Sequence, residues 1–237
     1  MRILSDVSAI DCNADTLTID SQQDADLIPE CVSQGVPLNK NLIISPEASR
    51  FIAFKHLELI NGSIYAQDSP GLTSLSLDRS DSNPPSGGIY DVVIRNLTAF
   101  ESFSFPYVPS KILDSMLFEN LPLLHTINIS SRVVPNDFRL RSLPSLQNLL
   151  LAPCGFGVTG SIEVNDVGIS SIDMLFKLGF SAKNISVDGI PNVKNLSYAL
   201  WKTKDVSIRG NGTWRSISTI LIAKTISVPC HGPTRVL

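Results

Sequence analysis

The chain has few of the residues that most often carry chemistry. It holds three histidines and four cysteines in 237 residues, and only 17% of its residues are charged. His56, His125 and His231 fall at unrelated places and form no metal-ligand spacing, so neither a metal nor another cofactor is expected. Lys plus Arg number 19 against 22 Asp plus Glu, a net charge of −3 with no basic stripe, which argues against nucleic acid as a partner. No apolar run approaches the ~18 residues that a membrane-spanning helix needs. Helical patterning is also sparse. Apolar side chain is what the sequence does have: 43% hydrophobic residues at low charge describe a filled core rather than a disordered chain.

From residue 42 onward one short pattern recurs nine times: two apolar residues flanking one that is free to vary. The pairs are Leu42/Ile44, Ile64/Ala66, Val92/Ile94, Met116/Phe118 and Phe138/Leu140, then Ile162/Val164, Ile185/Val187, Val206/Ile208 and Ile226/Val228. Their steps are 22, 28, 24, 22, 24, 23, 21 and 20 residues. Alternation with period two is a strand signal. Recurrence every 20 to 29 or so residues suits leucine-rich or L-domain coils, whereas helical-pair repeats are longer. Later apolar pairs such as Leu75/Leu77, Phe103/Phe105 and Ile127/Ile129 predict a second strand in each coil. The reading is mainly β: a right-handed parallel β-solenoid of about nine coils, each burying its apolar edge against its neighbours. It forms one continuous domain, with an N-terminal segment and cap over 1–41 and repeats over 42–237.

Within the N-terminal segment, Leu17 to Pro29 reads as a short strand and a short helix, with Ser21 and Asp24 placed to start the helix and Ala25 and Ile28 toward the core. Such an element covers the open end of a solenoid, which otherwise exposes an unpaired sheet edge. Cys12 and Cys31 bracket it, and a disulfide between them would pin the cap; two buried free thiols are the alternative. Cys154 and Cys230 lie about three coils apart, near 14 Å by strand spacing. That is too far for a bridge unless the loop at 155–160 folds along the stack.

Six Asn-X-Ser/Thr sequons, at Asn61, Asn96, Asn128, Asn184, Asn195 and Asn211, exceed the roughly two or three that chance supplies and point to a secreted glycoprotein. Asn96 shares a turn column with Asp68 and Asn120. If that column is a buried polar ladder, Asn96 cannot carry a glycan; if it is exposed, it can.

The cap from Cys12 to Cys31, with Thr18-Ile19 and Asp24 to Leu27 inside it and Asn41-Leu42-Ile43-Ile44 after it, resembles a known family. These are the fungal GPI-anchored cell-wall-organisation proteins of the extracellular-matrix and sporulation-specific group, with receptor-L-domain-like repeats. Ile60-Asn61-Gly62-Ser63-Ile64, Leu121-Pro122-Leu123-Leu124 and Val167-Gly168-Ile169-Ser170-Ser171-Ile172-Asp173 add to the likeness, which covers roughly residues 10 to 230. The resemblance implies a glycosylated protein of the cell surface or wall, acting in wall integrity, with no active-site motif to carry over. Its implied partners are wall polysaccharide or a cell-surface protein, with membrane attachment only through an anchor. Met1 to Asp6 lacks the 7 to 15 apolar residues of a secretion signal, and no hydrophobic tail follows Pro233. The expectation is therefore that the chain is part of a longer product.

Parallel solenoids also host polysaccharide hydrolases, which need two carboxylates on one face. Asp166 and Asp188, near the ends of successive strands, are the candidate pair, but no third acid, His or Arg completes such a site. No enzyme activity is expected. The loop at 155–160 looks like a phosphate cradle only superficially, since it lacks the lysine and following helix such a loop requires.

The outward strand positions form the more informative surface. One column reads Ile43, Tyr65, Val93, Leu117, Arg139, Glu163, Ser186, Ser207, and the next reads Gln67, Arg95, Glu119, Arg141, Asn165, Asp188, Arg209. The apolar half of the first column makes an exposed strip of the kind that marks contact surfaces, unless the loop at 78–88 folds over it. Arg95, Glu119 and Arg141 alternate in sign as a ladder, which serves either charge compensation or ligand contact. Tyr65, Arg95, Glu119 and Arg141 are the candidate ligand-binding residues. A receptor-type ectodomain binding a protein or peptide on the same sheet is the second functional reading.

Overall fold

The computed structural model describes residues 10–31, 38–48, 50–55, 60–77, 88–105, 111–129, 133–152, 157–171, 182–192, 195–196, 205–208 and 216–217. Along the chain β1 (Thr16–Ile19), α1 (Gln22–Leu27) and a 3-10 turn (Ile28–Cys31) come first. Strands then alternate between two sheets. One contains β2 (Asn41–Ile44), β4 (Gly62–Gln67), β6 (Ile89–Arg95), β8 (Lys111–Glu119), β10 (Val133–Leu143), β12 (Ser161–Val167), β13 (Asn184–Asp188) and β15 (Asp205–Ile208), with β1 added at its edge. The other contains β3 (Phe51–Phe54), β5 (Ser74–Leu77), β7 (Ser102–Phe105), β9 (Thr126–Ile129) and β11 (Asn148–Leu151). β14 (Asn195–Leu196) and β16 (Ser216–Ile217) form a further pair.

The first sheet has nine strands in the order β1-β2-β4-β6-β8-β10-β12-β13-β15, and the second has five, all parallel. Neighbours in each sheet are successive passes of the chain, which defines a mainly β parallel solenoid of about five turns in which both sheets are built. The apolar pairs set the register. Leu42 lies opposite Ile64, Val92 opposite Met116, and Phe138 opposite Ile162. Seven pairs, from Leu42/Ile44 to Ile185/Val187, are buried. Val206/Ile208 continues the register on β15, and Ile226/Val228 lies outside the described residues. One strand of the sheet was not among the expected pairs: β1, whose Leu17 and Ile19 lie opposite Leu42 and Ile44.

The expected second strands are present, and their Leu75/Leu77, Phe103/Phe105 and Ile127/Ile129 are buried. Between the sheets the aromatic residues meet edge to face: Phe103 and Phe118 at 5.0 Å, Phe118 and Phe138 at 6.4 Å. At the corner after the first-sheet strands the chain enters the left-handed region at Asp68, Asn96, Asn120, Ser142 and Asp166, with Gly189 next in the column. Asn and Asp tolerate this conformation better than other L-residues, because their short side chains bond locally. The following residue then turns inward, which buries Leu97, Leu121, Leu143, Val167 and Ile190. Ser69 takes that place in the earliest of these coils, and its hydroxyl donates to the Ser45 carbonyl of the preceding coil at 2.6 Å. Close stacking also demands Gly62, where a Cβ would lie 2.1 Å from the Lys40 carbonyl oxygen.

The short strand and short helix expected in the N-terminal segment are present. Ser21 and Asp24 form a capping box on α1, and Ala25 and Ile28 are buried. Cys12 and Cys31 are bridged across a separation of 19 residues, a closure that removes about 3 kcal/mol of unfolded-chain entropy. Lys40 Nζ donates to the carbonyls of Cys12 and Ala14 inside that loop. Gln22 makes a contact that the sequence did not announce. Its side-chain amide accepts from the Ala53 N–H at 2.7 Å and donates to the Ala53 carbonyl at 2.8 Å, pairing with edge strand β3 as a neighbouring strand would. Cys154 and Cys230 lie outside the described residues.

Candidate binding face

On the outer face of the nine-stranded sheet, side chains stand in three lanes, about 6.6 Å apart along each strand and about 4.8 Å apart across strands. The central lane is the expected column. Ile43 lies opposite Tyr65, Tyr65 opposite Val93, Val93 opposite Leu117 and Leu117 opposite Arg139, followed by Glu163, Ser186 and Ser207. Ile43 is 37% exposed, and Tyr65, Val93 and Leu117 are half-buried. The loop at 78–87 lies outside the described residues.

On one side of this strip runs the lane of Gln67, Arg95, Glu119 and Arg141. Its charges pair differently from the expected ladder. Arg141 closes a fork on Glu163 of the central lane, with Nε and Nη2 donating to the two carboxylate oxygens at 2.8 and 2.6 Å, and its Nη1 reaches Glu119 at 3.4 Å. The guanidinium is held above its ordinary pKa, chiefly by the Glu163 hydrogen bond, with partial burial opposing and the Glu163 and Glu119 charges adding. Arg139 pairs with Asp137 of its own strand at 2.8 Å. At such exposure each pair is worth at most about 1 kcal/mol. Arg95 instead donates from Nε to the neutral Gln67 amide at 2.6 Å.

The third lane is Asn41, Ser63, Asp91, Ser115, Asp137, Ser161, Asn184 and Asp205, and it lies outside the two columns expected from the sequence. The Asp91 carboxylate accepts from the Ser63 and Ser115 hydroxyls at 3.1 and 2.7 Å, and Asp137 Oδ1 accepts the Ser161 N–H at 2.9 Å. The sequence carried a signal for it, since the residue before each apolar pair, from Asn41 to Asp205, is polar. At the far end of the face a shallow open recess of about 430 Å³ is lined by Ser161, Glu163, Asn184, Ser186 and Ser207.

The sequons divide by position. Asn96 is exposed, so its column is not a buried ladder. Its Nδ2 donates to Asp68 Oδ1 at 3.0 Å, and its Oδ1 accepts from Asn120 Nδ2 at 3.1 Å, along the outside of the corner. Asn184 is exposed at the start of β13, and Asn128 stands half-buried on the outward side of β9. Asn61 is half-buried, donates to Asn39 Oδ1 at 2.5 Å and accepts from the Tyr90 hydroxyl. Asn195 begins β14, and Asn211 lies outside the described residues.

The other candidates have structural employment. Asp166 holds a left-handed corner, and Asp188 accepts its own neighbour's N–H, from Gly189, at 2.8 Å. His125 is exposed in the turn after β8; His56 and His231 lie outside the described residues. Of the loop at 155–160, the Thr159 and Gly160 N–H groups donate to the Pro135 and Asn136 carbonyls of the preceding coil rather than standing free for an anion. Among the described residues no group of three His, Cys, Asp or Glu could hold a metal, and no helix is long and apolar enough to cross a membrane. No family model, curated protein or solved structure matches the chain.

Proposed function

We propose that this chain is a non-catalytic, N-glycosylated protein of the cell surface or wall, like the fungal GPI-anchored wall-organisation proteins it resembles. In this reading it holds wall polysaccharide or a cell-surface protein on the outer face of its nine-stranded sheet. The observation that carries the reading is the apolar strip from Ile43 to Leu117, in register and flanked on both sides by polar lanes. Contiguous exposed apolar surface with a polar rim marks contact sites. Extracellular placement is supported by the Cys12–Cys31 bridge, which persists in oxidising compartments, and by the exposed sequons Asn96 and Asn184. A non-catalytic role is supported by the structural work of Asp166 and Asp188. The same reading keeps nine right-handed coils closed at the N-terminal end by a cap; eight of the expected pairs in one parallel sheet and the Gln22–Ala53 pairing support it.

The test is co-sedimentation of the secreted protein with isolated cell-wall fragments. Wild type is expected to pellet with them and the Tyr65→Ala/Arg95→Ala variant to remain in solution with its fold intact; equal pelleting would remove the face from consideration. Release of sugar by wild type but not by Asp166→Asn or Asp188→Asn would overturn the non-catalytic reading. An unchanged gel mobility after enzymatic deglycosylation would count against the glycoprotein assignment. The aliphatic character of the strip also favours a second reading, a receptor-type ectodomain with a protein or peptide ligand. A full-length transcript encoding a membrane span and cytoplasmic domain, rather than an anchor signal, would select it.

A further inference from the structure

The face carries three described arginines, Arg95 on β6 and Arg139 and Arg141 on β10, with β8 between, and their surroundings differ in one respect. Arg139 has Asp137 at 2.8 Å, and Arg141 has Glu163 at 2.6 Å and Glu119 at 3.4 Å. Arg95 is exposed and bonds only the uncharged Gln67 amide; among the described residues no carboxylate lies within ion-pair distance of it. It stands two residues along the strand from Val93, which lies between Tyr65 and Leu117 in the apolar strip. The strip is confined to the same four strands, because its lane turns charged at Arg139 and polar beyond.

We propose that the outer face of β2, β4, β6 and β8 docks an extended acidic segment of a partner polypeptide. Apolar side chains of that segment lie on Ile43, Tyr65, Val93 and Leu117, and a carboxylate pairs with Arg95. This rests on the reading of the face as the contact surface and adds the chemistry of what it contacts. Three considerations select the occupant. A guanidinium without a counter-charge gains most from an anionic ligand, and a carboxylate matches its planar fork. Three of the four strip residues are aliphatic, and a neutral polysaccharide laid on them would bury hydroxyls without partners, at a cost in free energy. A nucleic-acid backbone carries a charge at every nucleotide and would meet the Asp91 and Glu119 carboxylates on either side of the strip, whereas a peptide can set a single carboxylate at Arg95. Three steps of about 4.8 Å take the strip across roughly 14 Å, the span of about five extended residues.

Two acetylated, amidated pentapeptides provide the direct probe, Val-Glu-Leu-Glu-Val and its lysine counterpart Val-Lys-Leu-Lys-Val, titrated against isotope-labelled protein. The acidic peptide is expected to bind at least about tenfold more tightly, to shift the resonances of Tyr65, Val93 and Arg95, and to weaken at high salt. Arg95→Glu should abolish the preference and Arg95→Lys should keep most of it. Equal affinity for both peptides, or an acidic preference that survives Arg95→Glu, overturns the proposal. Wall fragments pre-treated with protease or with β-glucanase separate it from the broader reading. Tyr65-dependent pelleting that is lost only after protease supports both. Tyr65-dependent pelleting lost only after glucanase leaves the contact face standing and removes the acidic polypeptide. Pelleting indifferent to Tyr65 and Arg95 removes the face, and the absence of binding to peptides and fragments alike removes both.

Discussion

Replacing Phe118 with alanine tests the core where the two sheets meet. Its ring is fully buried on β8, 5.0 Å from Phe103 of the opposite sheet at an interplanar angle of 68° and 6.4 Å from Phe138 at 70°. Truncation removes the apolar transfer energy of the ring and leaves a cavity that fixed backbones on both sides cannot close, together about 3–5 kcal/mol. Two edge-to-face contacts, each worth about 0.5–1.5 kcal/mol, place the expected loss in the upper half of that range. Against a total stability of about 5–15 kcal/mol this is a large fraction. Urea unfolding followed by circular dichroism should show the midpoint falling with the slope unchanged, and Phe118→Leu should cost about 1–2 kcal/mol. Since each coil touches only its neighbours, amide exchange should accelerate most in β6, β7, β8 and β10. A loss below about 1 kcal/mol for Phe118→Ala would refute the packing argument, because no buried phenylalanine is that inexpensive to remove.

Ser142→Asn should stabilise by about 1 kcal/mol, raising Tm by about 2–4 °C, because asparagine accepts the left-handed backbone and its Nδ2 extends the side-chain ladder to Asn120; an unchanged Tm would count against the ladder. Gln22→Ala should cost about 1–3 kcal/mol and unprotect the Ala53 amide in hydrogen exchange, whereas unaltered protection would mean the side-chain pairing is not made in solution. Gly62→Ala should destabilise by about 3 kcal/mol or more, because the new methyl meets the backbone of the preceding coil; a soluble variant with wild-type unfolding would contradict that approach.

The backbone plan was legible because a parallel sheet repeats one constraint. Alternation decides which face each residue takes, and a pair such as Val92/Ile94 must lie opposite Met116/Phe118 or lose its burial. The capping box was legible for a similar reason, since Ser21 and Asp24 are three residues apart and satisfy each other locally. What escaped depends on choices among near-equal partners. Arg141 prefers Glu163 in the next lane to a simple ladder, and Arg95 takes Gln67; differences of a few tenths of a kcal/mol decide such pairings, and no spacing rule encodes them. The Gln22–Ala53 contact joins residues 31 apart through an amide that leaves no periodic trace. The lane from Asn41 to Asp205 does leave a periodic trace, a polar residue just before each apolar pair.

Because every strand of the nine-stranded sheet pairs with the passes immediately before and after it, the molecule's length is counted in whole coils. Residues 116–137 make one such unit, 22 residues from Met116 to the residue before Phe138. Excising them would seat Phe138 against Val92, the position Met116 now fills, and leave both sheets continuous. An odd insertion or loss within a strand would turn the rest of that strand's side chains to the other face, whereas the steps of 20 to 28 residues between pairs show that the connecting segments absorb differences in length. Change in this chain is thus graded: side chains vary along the outer lanes, connecting segments vary in length, and the sheets themselves grow or shrink by a complete turn.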